Sequence, residues 1–238
     1  MRVESQPAYI LHTRNYRDTS LIVEFLTPEF GRVGGIVKGV RAASKSAKQK
    51  RAATQPFIPL LISWSGKSDL KTITSLESRY LAPPLQGQRL YSGFYINELL
   101  TRLLQSYDGY SDIYTLYEWA LSKLQSDDAV DLILRRFELR LLEELGYGVE
   151  FTAELYSGQN INPDKLYQLV EGQGFIALSE SAAEPVFKSP LVYGGHDLLS
   201  IAGGEFTDDN RRAAKRLCRQ LLKIHLGDKP LKSRELFL

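Results

Sequence analysis

The feature that most constrains this chain is a change of hydrophobic period at Pro83-Pro84. Before it, apolar residues come in short β-branched and aromatic runs separated by turn residues. After it, they recur at the i, i+3, i+4 spacing of amphipathic helices. Strands grouped at one end and helices at the other make an α+β protein rather than an alternating one. The sequence therefore predicts an N-terminal five-stranded OB-type barrel over 1–80, followed over 81–238 by a mainly α-helical domain with a small β-hairpin insertion near 165–179.

Five runs predict the barrel strands: Ala8–His12, Ser20–Thr27, Arg32–Lys38, Phe57–Trp64 and Leu70–Leu76. Turn-like breaks fall at Thr27–Gly31 and Ser65–Asp69, where hairpins need them. The Gly34-Gly35 pair predicts a bulge or sharp coil. A long connection, residues 41–54, joins the third strand to the fourth, as in a Greek-key OB barrel; an SH3-like barrel is the competing architecture. Helices are predicted over Tyr91–Tyr107, over Ile113–Leu124, from Asp127-Asp128 to a cap at Gly146, and from beyond Thr207 to Leu226, closed by Gly227. Tyr167–Leu178 reads as the hairpin.

Charge is distributed unevenly along the chain. The net charge is only +2, yet residues 30–68 hold eight Lys or Arg and no Asp or Glu. These are Arg32, Lys38, Arg41, Lys45, Lys48, Lys50, Arg51 and Lys67, most of them on the predicted rim connection. The last 28 residues hold nine basic and two acidic side chains. Within them Arg212, Arg216, Arg219 and Lys223 follow an i, i+4, i+7, i+11 pattern, which puts one positive stripe on a helix, flanked by Arg211 and Lys215. Segregated positive charge suits a polyanion, because neutralised phosphates release condensed counterions. The eleven phosphate-contact candidates are Arg32, Lys38, Arg41, Lys45, Lys48, Lys50, Arg51, Arg212, Arg216, Arg219 and Lys223. Contacts of this kind hold phosphate without reading sequence. Tyr9, Phe25, Phe30, Phe57 and Trp64 would stack on bases if exposed, and serve as barrel core if not.

Other chemistries are poorly supported by the sequence. His12, His196 and His225 lack metal-ligand spacing, and no Gly-Gly pair is followed by the Lys-Ser/Thr of a phosphate loop. No catalytic residue, cofactor or metal is expected. One cysteine, Cys218, excludes an intrachain disulfide and a cysteine-based zinc site, and it falls on the apolar side of the last helix as a structural residue. No apolar run spans a bilayer, and the N-terminus lacks a signal-peptide core, so a cytoplasmic, membrane-free protein is expected.

Several blocks resemble the RecO family of bacterial recombination mediators. They are Gly31-Arg-Val with Val37-Lys-Gly-Val-Arg41, Gln55-Pro-Phe-Ile-Pro-Leu-Leu61, Tyr91-Ser-Gly-Phe-Tyr-Ile-Asn-Glu-Leu-Leu100, Arg135-Arg-Phe-Glu-Leu139 with Leu145-Gly-Tyr-Gly148, and Arg211-Arg-Ala-Ala-Lys215 with Leu231-Lys-Ser-Arg-Glu-Leu-Phe237. They recur in order along nearly the whole chain. The resemblance implies a DNA repair and recombination mediator, nucleoid-associated, that binds single- and double-stranded DNA and anneals complementary strands without ATP. It further implies docking to the acidic C-terminal tail of the single-stranded-DNA-binding protein, with Arg135 and Arg136 as the tail-binding candidates, and cooperation with RecR in loading RecA. Many relatives carry two Cys-x-x-Cys pairs after the Leu-Gly-Tyr-Gly block; here Glu154-Leu-Tyr-Ser-Gly-Gln stands in that region, so zinc is not expected. The alternatives are an OB-type RNA- or ribosome-associated module and, behind it, a nuclease.

Overall fold

The computed structural model describes residues 2–80, 83–179 and 189–237; the expected domain boundary at 81 lies outside the described residues. Strands β1 (Arg2–Tyr16), β2 (Ser20–Thr27), β3 (Gly31–Val37), β4 (Leu60–Ser65) and β5 (Lys71–Ser78) close into a barrel in the order β1-β2-β3-β5-β4. β3 pairs parallel with β5, and β1–β2, β2–β3, β4–β5 and β1–β4 pair antiparallel. That is the Greek-key order of an OB barrel, which settles the choice against the SH3-like alternative. Alternate side chains point inward along the pleat. Ile10, Phe25, Val33, Leu60, Ile62 and Trp64 fill the interior, each essentially inaccessible to solvent.

The barrel differs from expectation in three places, the first being that the β2–β3 register runs unbroken through Gly34 and Gly35, where the sequence predicts a bulge or sharp coil. β1 is much longer than Ala8–His12, because its polar ends sit in edge-exposed hairpin ladders where hydrophobicity gives no signal. The connection after β3 holds a nine-residue helix, α1 (Lys45–Ala53). Ser44 caps it by accepting the Ala47 N–H at 3.2 Å, and Ala53 joins the barrel core beside Val40.

Two helices follow, α2 (Gly87–Leu103) and α3 (Ser111–Leu124). A bulge in β1 between Ile10 and His12 takes the carbonyls of Ile10 and Leu11 out of register. Asn97 of α2 donates to both, at 3.2 and 3.0 Å, and accepts the Tyr117 hydroxyl at 2.7 Å. Glycines permit close approach elsewhere: a Cβ on Gly93 would lie 2.7 Å from the Phe57 ring.

The chain forms two compact units, Met1–Val130 with Pro230–Leu238, and Asp131–Lys229. In the first, the 3₁₀ turn Lys232–Phe237 packs on α2. The second contains most of α4 (Val130–Glu144), which ends in a Schellman motif. Gly146 at φ 76° donates to Glu143 O and Tyr147 to Leu142 O. The predicted hairpin is present as β6 (Leu166–Val170) and β7 (Gly174–Ala177). A third strand, β8 (Val192–Gly194), extends it to the order β7-β6-β8, followed by α5 (Gly195–Ala202) and α6 (Arg211–Leu226).

Candidate nucleic-acid interface

The acid-free segment becomes a folded cationic ridge. α1 carries no acid in its first turn and presents Lys45, Lys48 and Arg51 to solvent, while Ala47 and Ala53 face inward. Its C-terminal turn favours cations through the helix dipole, and Lys50 and Arg51 lie there. Lys50 is half-buried and donates to the Lys38 carbonyl at 3.0 Å; Arg51 reaches the Ala42 carbonyl at 3.4 Å. The side chains of Lys38, Lys45 and Lys48 are exposed and make no ion pair or hydrogen bond among the described residues. A helix with such cations and no acid is a poor solvated surface for its own sake, since like charges repel along it.

Arg41 is exposed but committed. Its guanidinium donates to the carbonyls of Arg17 and of Asp18, the latter at 2.9 Å, and its backbone N–H donates to Thr19 O at 2.9 Å. These bonds fasten the β1–β2 turn to the segment before α1. They bring exposed Arg14 and Arg17, the latter over the Tyr16 ring at 5.1 Å, into the same cationic region. Neither was singled out in the sequence. The signal was present only in strand pairing, because Asp18 dilutes the local charge there.

Arg32 plays another part. It lies 3.5 Å from Glu24, donates to Ser106 Oγ at 3.2 Å and also to the Thr101 carbonyl, so it is not a free phosphate ligand. The barrel aromatics are unavailable for stacking on bases: Tyr9, Phe25, Phe57 and Trp64 are buried, and Phe30 packs edge-on against Trp64 at 5.2 Å.

On α6 the stripe divides. The side chains of Arg212, Lys215, Arg219 and Lys223 are exposed and make no ion pair or hydrogen bond among the described residues. Arg216 instead donates to the Val192 carbonyl at 2.7 Å and lies over the Tyr193 ring at 4.5 Å, holding β8. Arg211 is ion-paired with Asp131 and Asp208, both at 3.0 Å. The opposite side is core, with Ala214, Leu217, Cys218 and Leu221 buried. Burial and the neighbouring Glu138 carboxyl push the Cys218 thiol well up, so it is a core residue.

The two tail-binding candidates separate as well. Arg135 is buried and pairs with fully buried Glu138 at 2.7 Å. Arg136 is exposed, donates to Gly204 O at 3.3 Å and lies over the Phe206 ring at 5.9 Å. Among the described residues, no group of three or more His, Cys, Asp or Glu is placed to hold a metal ion. Among these residues, too, no helix is long and apolar enough to cross a membrane.

A closed five-stranded Greek-key barrel with a helix between its third and fourth strands defines an OB-fold protein. Comparison with known proteins makes that class specific. The family model for "Recombination protein O N terminal" matches residues 1–81, and that for "Recombination protein O C terminal" matches residues 84–235. The chain is 45% identical over 238 residues to a DNA repair protein RecO from Cellvibrio japonicus, covering all of this chain and 98% of the relative. It is 44% identical to one from Haemophilus influenzae, with 100% and 97% covered. A third, from Actinobacillus pleuropneumoniae, is 42% identical over 231 residues, with 96% and 92% covered. The chain belongs to the RecO family of DNA repair and recombination proteins.

Proposed function

We propose that this protein binds single- and double-stranded DNA without sequence preference and anneals complementary strands without nucleotide hydrolysis. It then assists RecR in placing RecA on DNA coated by the single-stranded-DNA-binding protein. The observation that carries this reading is the α1 ridge, where Lys45, Lys48 and Arg51 stand exposed on an acid-free helix fixed to the barrel. Annealing is slowed by repulsion between two polyanions. A second cationic surface on α6, formed by Arg212, Lys215, Arg219 and Lys223, supports holding two strands at once.

The protein acts by binding rather than by bond chemistry, in the cytoplasm at the nucleoid. For the acidic tail of the single-stranded-DNA-binding protein, Arg136 is the better ligand of the two candidates. It is exposed beside Phe206, an arginine and an apolar ring together, whereas Arg135 is internal.

The test is annealing of complementary strands coated with the single-stranded-DNA-binding protein, with and without this protein. Faster annealing without ATP is expected. Unchanged annealing on both coated and naked strands refutes the reading, and tighter binding to RNA than to DNA would favour the RNA-module alternative. Intact labelled DNA after long incubation with magnesium is expected; cleavage would point to a nuclease.

A further inference from the structure

We propose that a cleft on the barrel, lined by Glu24, Arg32, Gly34, Asp69, Ser106 and Tyr107, is a subsite for one unpaired nucleobase, with guanine the best fit. This inference rests on the DNA-binding reading above and adds a base contact to what is otherwise a phosphate-binding surface. The cleft has a volume of ≈ 450 Å³. Gly34 and Glu24 are direct partners in the β2–β3 ladder, the face on which OB barrels bind oligonucleotides. Gly34 adds no side chain of its own, and the apolar Leu70 side chain also lines the cleft there, its Cδ1 3.6 Å from where a Gly34 Cβ would lie.

The charges here are balanced, unlike those of the ridge. Arg32 stands 3.5 Å from Glu24, and Lys71 lies 4.6 Å from the centre of the Tyr107 ring, whose phenol feels the Asp69 carboxylate. A phosphate entering the cleft would meet two carboxylates; a neutral base meets none of that repulsion.

Tyr107 is the stacking platform. It is 37% exposed, a large aromatic on the surface of the first unit. Its backbone N–H donates to Arg32 O at 3.1 Å, its hydroxyl donates to Asp69 O, and buried Lys71 covers the ring. Fixed in this way before a ligand arrives, the ring loses little freedom when a base stacks on it.

The hydrogen-bonding groups fit guanine. Glu24 Oε2 is buried and is ion-paired with Arg32 Nη1 at 3.5 Å, but it accepts no hydrogen bond among the described residues. The ion pair balances its charge and leaves its hydrogen-bonding capacity open to a closer donor. Guanine offers two N–H donors side by side, at N1 and N2, to a carboxylate, and its O6 accepts from an arginine. Thymine offers a single N–H on that edge.

The experiment compares affinities of the full chain for a thymine-only oligonucleotide, one with alternating guanine, and one with inosine replacing guanine. Guanine is expected to bind about tenfold tighter than thymine, the scale of one stacked and paired base. Inosine, without the 2-amino group, should fall between. Glu24→Gln and Tyr107→Ala should drive the guanine-to-thymine ratio toward one, while Tyr107→Phe, which keeps the ring, retains it. Replacing Lys45, Lys48 and Arg51 with alanine should weaken both ligands equally and leave the ratio. Equal wild-type affinity for all three oligonucleotides, or a ratio indifferent to Glu24→Gln and Tyr107→Ala, overturns the base subsite and leaves DNA binding standing. Absence of binding to every oligonucleotide overturns both.

Discussion

Ser233 donates its backbone N–H at 2.8 Å and its hydroxyl at 2.6 Å to the same oxygen of Glu98, a residue 135 positions earlier. The other oxygen of Glu98 accepts the Lys232 N–H at 2.9 Å. The carboxylate therefore caps the final 3₁₀ turn from the flank of α2.

Glu98 makes stability depend on pH. Burial pushes its carboxyl up, but the Ser233 hydroxyl, the two backbone N–H groups and Arg102 outweigh that and hold it below its ordinary 4.5. The anion is thus preferred in the fold. Its contribution is complete above pH 4.5 and is lost as pH falls through the depressed folded-state value. Glu98→Gln should cost about 1 kcal/mol at neutral pH, the site being partly exposed and screened, and nothing in acid. Urea unfolding of both proteins over a pH series checks this; a gap that does not close in acid refutes it.

Asn97 should be far less tolerant. Its replacement by alanine strands the carbonyls of Ile10 and Leu11 and the Tyr117 hydroxyl, all in the interior. A loss of about 2–4 kcal/mol is expected, with Tyr117→Phe costing about 1–2 kcal/mol because only one acceptor is orphaned. Chemical denaturation of the two variants ranks them, and the reverse order would contradict the role given to Asn97.

Reversing Lys45, Lys48 and Arg51 to glutamate should leave thermal stability nearly unchanged and reduce the magnitude of the log–log salt slope of single-strand binding by about 2, at roughly 0.7 per phosphate contact. On α6, Arg219→Ala should weaken DNA binding without unfolding the protein. Arg216→Ala should instead lower stability by about 1–3 kcal/mol, since it frees the Val192 carbonyl and the Tyr193 face. Melting curves beside titrations separate the two behaviours; matching effects would show that the stripe is uniform after all.

Gly31 is irreplaceable for a local reason. It sits at φ 57°, and a Cβ there would lie 1.7 Å from the Asp108 carbonyl oxygen. Gly31→Ala should destabilise by more than about 2 kcal/mol. A melting temperature within error of wild type would contradict this packing.

The Cys218 thiol should resist alkylation in the native protein and react freely in denaturant, because it is fully buried and its ionisation is suppressed. Labelling with a thiol reagent, followed by mass measurement, gives the answer. Rapid native labelling would place the residue elsewhere.

The barrel was legible because β3 alternates cleanly, inward Val33 and Val37 against half-exposed Arg32 and Ile36, and β2 is an apolar run rich in β-branched and aromatic residues. Helix ends were legible where glycine takes positive φ, as at Gly146 and Gly227. α1 was not, for its residues are almost all polar and only Ala47 and Ala53 face inward, too faint a stripe to show a period. Strand β8, three residues long, is too short to carry any pattern and forms by pairing with β6. The cationic stretches were visible as composition, but which cations are free was not. Arg32, Arg135 and Arg216 are occupied by Glu24, Glu138 and the Val192 carbonyl, and only the fold brings Glu24 to Arg32 or β8 to Arg216. Tyr107 reads from the sequence as the end of the first long helix, but α2 stops at Leu103, and nothing in its neighbours marks it as a fixed, exposed ring.

The return of residues 230–237 to the first unit has a consequence for biosynthesis. The barrel and α2 leave the ribosome early, but the turn that pairs with Glu98 is made only after the whole of Asp131–Lys229. During translation the flank of α2 that receives Phe237 stays uncovered, with Tyr91 lacking its edge-on partner at 5.9 Å. The first unit to emerge is therefore the last to be completely synthesised, and its completion marks a chain whose second unit has already been made.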